Sequence, residues 1–212
     1  MIVECAGLPG AGKTTICKLV SELHGRKGAV PLKAMRPSRE ILRAGWNILA
    51  LVLTTRPFRF ERLKRAFNLI VFLRHYEHHG LVILLDQGIV QKIWSILADT
   101  NDHSSKRLQL VMASLVPFAP SWVVWLETPL DSAVKRLSAR GDGTSRYDGL
   151  PSDEILLQLK SRSALLRSLA EQFCKTVGAG LLEIDGTFPP AANAARIDAL
   201  FKEQNSEISV LP

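Results

Sequence analysis

Residues Gly7-Leu8-Pro9-Gly10-Ala11-Gly12-Lys13-Thr14 match the pattern G-x-x-x-x-G-K-[ST] without a mismatch, directly after an apolar run at 2–6 and directly before an amphipathic stretch. That context commits the chain to a strand, a tight loop and a helix in succession. Glycines let the backbone turn its amide hydrogens inward, making a nest for phosphate oxygens at a helix N-terminus. Lys13 adds a point charge for the β and γ phosphates, and the Thr14 hydroxyl is placed for Mg2+. A bare turn would need neither residue at those two positions. The expected nucleotide-contacting set is Gly7, Pro9, Gly10, Ala11, Gly12, Lys13, Thr14 and Thr15.

The rest of the chain alternates short apolar runs with longer helical ones, the pattern of an α/β domain built on a parallel sheet. Strands are expected at 2–6, 29–34, 81–85, 122–126 and 180–184. The third and fourth are apolar on consecutive residues, as central strands covered on both faces should be. Helices are expected at 13–23, 39–53, 60–79, 89–98, 106–116, 130–139, 153–177 and 191–203, with Pro57 and Gly80 as breaks. One domain spanning 1–203 follows, with a frayed tail at 204–212. The predicted architecture is three-layered: about five parallel strands, helices on both faces and an arginine-bearing lid.

Strand 81–85 ends in Asp86. In doubly wound folds chemistry gathers at the carboxyl ends of the strands, so Asp86 is expected to face the phosphate loop, holding Mg2+ with Thr14 or accepting a proton. A capping role for the helix that follows is compatible with either. The stretch from Arg136 to Gly149 is rich in glycine and arginine. It reads as a mobile lid at about 140–150, with Arg140 and Arg146 neutralising charge on a transferred phosphoryl group. Arg136 reads as helix decoration.

In its order of motifs the chain resembles the P-loop nucleoside and nucleotide kinase superfamily, thymidylate kinases most of all. The likeness rests on Gly7 to Thr14, Pro37-Ser38-Arg39-Glu40, the strand ending at Asp86, Trp125-Leu126-Glu127-Thr128-Pro129, the lid, and Leu182-Glu183-Ile184-Asp185-Gly186. The resemblance implies an ATP- and Mg2+-dependent phosphotransferase with a small-molecule acceptor. It implies that Arg39 meets the acceptor, Asp86 sits at the reacting centre with Lys13, and Arg140 and Arg146 belong to the lid. Two positions depart from the family: its aspartate-arginine pair is here Asp86-Gln87, and Leu8 to Ala11 contain no arginine. The lid arginines must then supply that charge, and an acceptor without its own phosphate is expected.

Lysine and arginine number 27 against 20 aspartates and glutamates, an excess that suits anionic ligands. The arginines concentrate at 36–74 and 136–146 and form no long basic stripe interleaved with aromatics, so nucleic acid is not the expected partner. Salt-dependent binding to oligonucleotides would instead mark a kinase of nucleic-acid ends. The three cysteines have no paired or metal-ligand spacing and read as reduced packing residues. Glu4 interrupts the first apolar run, which argues against a signal peptide, and no run approaches the ~20 residues of a membrane span, so a cytoplasmic protein is expected. His75, His78 and His79 stand in a last helical turn, where the helix dipole accounts for them better than a metal does.

The acceptor side is expected at about 37–79. Within it, 41–72 is both apolar and basic, with Trp46, Phe58, Phe60, Phe67 and Phe72 among Arg43, Arg56, Arg59, Arg62, Lys64 and Arg65. A pair of core helices with an arginine-rich outer face is the plain reading. Two sharper ones stay open: a roof over the acceptor, or an exposed face meeting a second copy of the chain, another partner or a membrane surface. The last would also suit a nucleotide-dependent ATPase switch.

Overall fold

A computed structural model describes residues 1–23, 38–56, 58–76, 83–98, 100, 106–140 and 147–208. Among them four parallel strands form one sheet, β1 (Ile2–Gly7), β2 (Ile83–Leu85), β3 (Trp122–Glu127) and β4 (Gly180–Asp185), in the order β2-β1-β3-β4. Register follows from pairs such as Glu4 with Leu85, Cys5 with Val124 and Val124 with Leu182. The strand expected at 29–34 lies outside the described residues, as do positions 81–82, the first two of the third expected strand.

The strands sort their side chains by parity. Val3, Cys5, Val124, Leu126 and Ile184 pack on one face against α1 (Lys13–Leu23) and α8 (Pro190–Ile208). Ala6, Val123 and Trp125 pack on the other against α2 (Arg39–Thr54), α3 (Phe60–Tyr76), α4 (Ile89–Leu97), α5 (Lys106–Ser114) and α7 (Ser152–Val177). Two helical layers therefore cover a sheet whose inner strands are buried on both sides. A smaller cluster joins α6 (Leu130–Ser138) to the start of α7 through Val134, Leu137, Tyr147, Ile155 and Leu159. Cys5, Cys17 and Cys174 are buried and free.

Local chemistry explains the boundaries. Ser38 caps α2 by accepting a hydrogen bond from the Ile41 amide at 3.2 Å, and Glu40 stands in the first turn. Gly178 ends α7 in the left-handed region at φ 75°. α5 stops at Ser114, short of the expected 116, and a 3-10 turn (Val116–Phe118) follows. Pro117 supplies no amide hydrogen and disfavours helical backbone at the residue before it. α8 runs to Ile208, past the expected end at 203.

Candidate active site

The loop after β1 is shaped by close approach. A Cβ on Gly10, whose φ is 81°, would lie 2.5 Å from the Ala133 carbonyl oxygen, so any larger residue would force the loop off α6. Arg136, on α6, fastens the same loop from above. One guanidinium nitrogen donates to the Ala11 carbonyl at 3.0 Å, and the other donates to the Gly186 carbonyl at 3.0 Å beyond β4. Its role was missed in the sequence because a surface arginine on a helix carries no local mark. The available signal is its spacing of one turn from Arg140.

Lys13 is buried, and its ammonium donates to the carbonyls of Gly7 and Leu8, both at 2.8 Å. Burial pulls its pKa down to about 8, with the Asp86 carboxylate opposing that fall. The Thr14 hydroxyl donates to Asp86 Oδ2 at 2.7 Å, joining the loop to the end of β2. Asp86 Oδ1 is buried and has no hydrogen-bond partner among the described residues. A hydroxyl and a half-used carboxylate side by side form an oxygen donor set suited to a hard cation, so these residues fit Mg2+.

Pro9, Gly10, Gly12, Lys13, Thr14, Thr15, Asp86 and Arg140 all line one cavity of about 820 Å³. Gly7 and Ala11 do not line it, and act instead through the carbonyls that hold Lys13 and Arg136. Arg39 is exposed on the first residue of α2 and is not part of this cavity. Arg146 lies outside the described residues, as do His78 and His79. Arg140 and Tyr147, which flank segment 141–146, both line the cavity, and Tyr147 is buried against the cluster between α6 and α7. Among the lining residues Lys13, Arg65, Lys92, Arg136 and Arg140 face one carboxylate, Asp86, an imbalance that favours a polyanion.

The opposite wall comes from α3 and α4, with Arg65, Asn68, Gln91, Lys92, Trp94 and Ser95. Gln91 is buried, and its Oε1 has no hydrogen-bond partner among the described residues. A buried amide oxygen left so is costly unless a ligand group donates to it.

Its placement traces to Glu4. This carboxylate is fully buried within β1 and accepts hydrogen bonds from the amides of Ile89 at 2.8 Å and Gln91 at 3.3 Å. Gly88, at the N-cap, has no side chain to do this, and a Cβ there would lie 2.3 Å from the Glu4 carboxyl carbon. Glu4 thus caps α4 from the sheet and fixes the turn that carries Asp86 and Gln91. Burial pushes its pKa up to about 7 against those amides and Lys92, which pull it down.

No family model matches the chain, and no curated protein matches it. Solved structures do. The chain is similar to deoxyadenosine kinase from M. mycoides with bound dATP at TM-score 0.56 and 12% identity, covering 95% of this chain and 100% of that one. The same enzyme with products dCMP and a flexible dCDP gives 0.56 and 14%, covering 97% and 100%. With bound dCTP it gives 0.51 and 14%, again over 97% and 100%. At such identities the likeness is one of fold alone.

Proposed function

We propose that this chain is a kinase that moves the γ-phosphoryl group of ATP to a hydroxyl of a small metabolite held between the phosphate loop, α3 and α4. The observation that carries the reading is Asp86. One of its oxygens takes the Thr14 hydroxyl, and the other is buried with no partner among the described residues, in a cavity whose other charged lining residues are all cations.

In this reading the loop amides and Lys13 hold the donor's phosphates, and Thr14 with Asp86 would hold Mg2+. When bound, the cation neutralises charge on the β and γ phosphates. Asp86 Oδ1 accepts the proton of the acceptor hydroxyl as that oxygen forms its bond to phosphorus and the bond from phosphorus to the ADP oxygen breaks. Arg136 and Arg140 stand where charge on the transferred group can be offset, with Arg146 joining them if segment 141–146 closes as a lid.

Gln87 in place of an arginine, and the neutral amide of Gln91 on the acceptor wall, favour an acceptor without its own phosphate over a nucleoside monophosphate. Deoxynucleosides are the first acceptors to try, since one solved protein of similar fold is a deoxyadenosine kinase. ATP as donor suits a protein of the cytoplasm. The test is a screen of nucleosides, deoxynucleosides and other hydroxylated metabolites with labelled ATP and Mg2+. At least one should take label at a rate well above hydrolysis, and Lys13→Ala should abolish that transfer. If every acceptor leaves turnover at the hydrolysis rate, or if only a protein partner speeds hydrolysis, the kinase reading fails.

A further inference from the structure

Helix α3, which walls the acceptor side, and its neighbour α2 carry a second surface, turned away from the cavity. On α2, Leu42, Trp46 and Leu53 recur at helical spacing and are 60%, 74% and 59% exposed. On α3, Phe60, Phe67 and Val71 do the same at 63%, 51% and 46%. A Cβ on Gly45 would touch Ile70 at 3.5 Å, which shows the flanks on which the helices meet. From that contact, at about 100° per residue, Leu42, Leu53 and Trp46 lie about 60–100° round α2 and Phe67, Phe60 and Val71 about 60–100° round α3, each row on the side away from the buried Ile41, Ile48 and Val52 or Ala66, Leu69 and Leu73. The two rows therefore form one face. Together they expose on the order of 600 Å² of apolar surface, at the upper end of what a soluble monomer leaves open.

Charge decides what fits there. Arg39 and Arg43 are exposed on the outer flank of the α2 row, Lys64 is exposed on the outer flank of the α3 row, and Arg56 and Arg59 are exposed at the connection between the helices. Lys64 lies 5.4 Å from the centre of the Phe60 ring. Glu40 and Glu61 are the carboxylates in the same stretch, and Glu61 is paired with Lys64 at 2.9 Å. A second copy of the chain docked through this face would bring the two basic borders together. An anionic lipid surface offers the opposite sign to the border and an acyl boundary for the tryptophan, phenylalanine and leucine side chains. No helix among the described residues is long and apolar enough to cross a membrane, so contact through this face would be superficial.

We propose that the α2–α3 face is a docking surface for anionic membranes. Arg65 and Asn68 lie on the cavity flank of α3, so docking would hold the acceptor side of the cavity close to the headgroups.

The test is co-sedimentation of the full chain with vesicles of phosphatidylcholine alone and with one-third phosphatidylserine, beside sedimentation velocity of the protein alone. The expected result is binding at least tenfold tighter to the phosphatidylserine vesicles, weakening as salt rises. It should fall at least tenfold further in Trp46→Ser combined with Phe67→Ser, two exposed positions whose replacement leaves the core intact. Retention of wild-type affinity by that variant overturns the proposal, as does no binding to phosphatidylserine vesicles. A concentration-dependent dimer that the same variant dissociates also overturns it, because a second copy then occupies the face.

Discussion

Replacing Glu4 with glutamine should make the protein more stable above neutrality and less stable in acid. The Glu4 carboxyl is fully buried, and its pKa rises from 4.5 to about 7. Stability contributed by the neutral form is fully present below pH 4.5 and is lost as pH rises to about 7, because over that range the folded chain binds more proton than the unfolded one. At ~1.4 kcal/mol per pH unit, a shift of about 2.5 units corresponds to a loss of ~3 kcal/mol between pH 4.5 and pH 7. Glutamine never ionises and escapes that loss. Its amide oxygen still accepts from Ile89, but its NH2 group faces the Gln91 amide hydrogen, which costs ~1 kcal/mol at every pH. The variant should therefore unfold ~1 kcal/mol more easily at pH 4.5 and ~2 kcal/mol less easily at pH 8. In melting temperature the swing is roughly 6–12 °C for a chain of this size. The low pKa of Lys13 acts between about 8 and 10.5, outside this window, and is common to both proteins. Urea titrations at pH 4.5, 6 and 8 measure the difference directly. Two stability curves that run parallel across that range would refute the account of a carboxyl forced to ionise inside the sheet.

Because Lys13 titrates near pH 8, binding of Mg·ATP at that pH should take up about half a proton as the polyphosphate restores its charge. The calorimetric enthalpy should then depend on the buffer's ionisation heat, and a buffer-independent enthalpy would contradict it. Gln91→Leu should raise stability by about 1–2 kcal/mol by removing an unpaired buried oxygen, while raising the acceptor KM about 10- to 100-fold and sparing donor affinity. A less stable variant with unchanged KM would show that Gln91 only packs. Arg136→Ala should weaken Mg·ATP binding about tenfold and speed hydrogen exchange at residues 10–12. Arg136→Lys should rescue neither effect, since an ammonium cannot reach both the Ala11 and Gly186 carbonyls, and full rescue by lysine would refute the two-sided tie.

Local signals were legible where one segment carries its own instructions. Residues 13–23 form the expected helix, the loop brings Lys13 and Thr14 to Asp86, and four of the expected strands appear in one parallel sheet. Contacts between distant segments were not legible where no motif announced them. Glu4 lies 85 residues from Ile89, and in the sequence it is simply a charge inside an apolar run. Arg136 meets Ala11 across 125 residues and looked like any helix-surface arginine. Arg39 was expected at the acceptor because of its motif, yet the first residue of α2 is exposed and away from the cavity, since a capped helix start fixes backbone direction and not which wall it faces. The unpaired side-chain oxygen of Gln91 could be found only once α4 was laid against β1.

Two helices, α1 and α4, begin beside the same cavity, and each alone would draw an anion to its first turn. At α4 the sheet has already supplied one, for the amides of Ile89 and Gln91 are spoken for by Glu4. Only the other helix start remains open to a phosphate, which gives the chamber a polarity. A charged tail has one end at which to lodge, and whatever sits at the far end must be recognised by groups other than backbone amides.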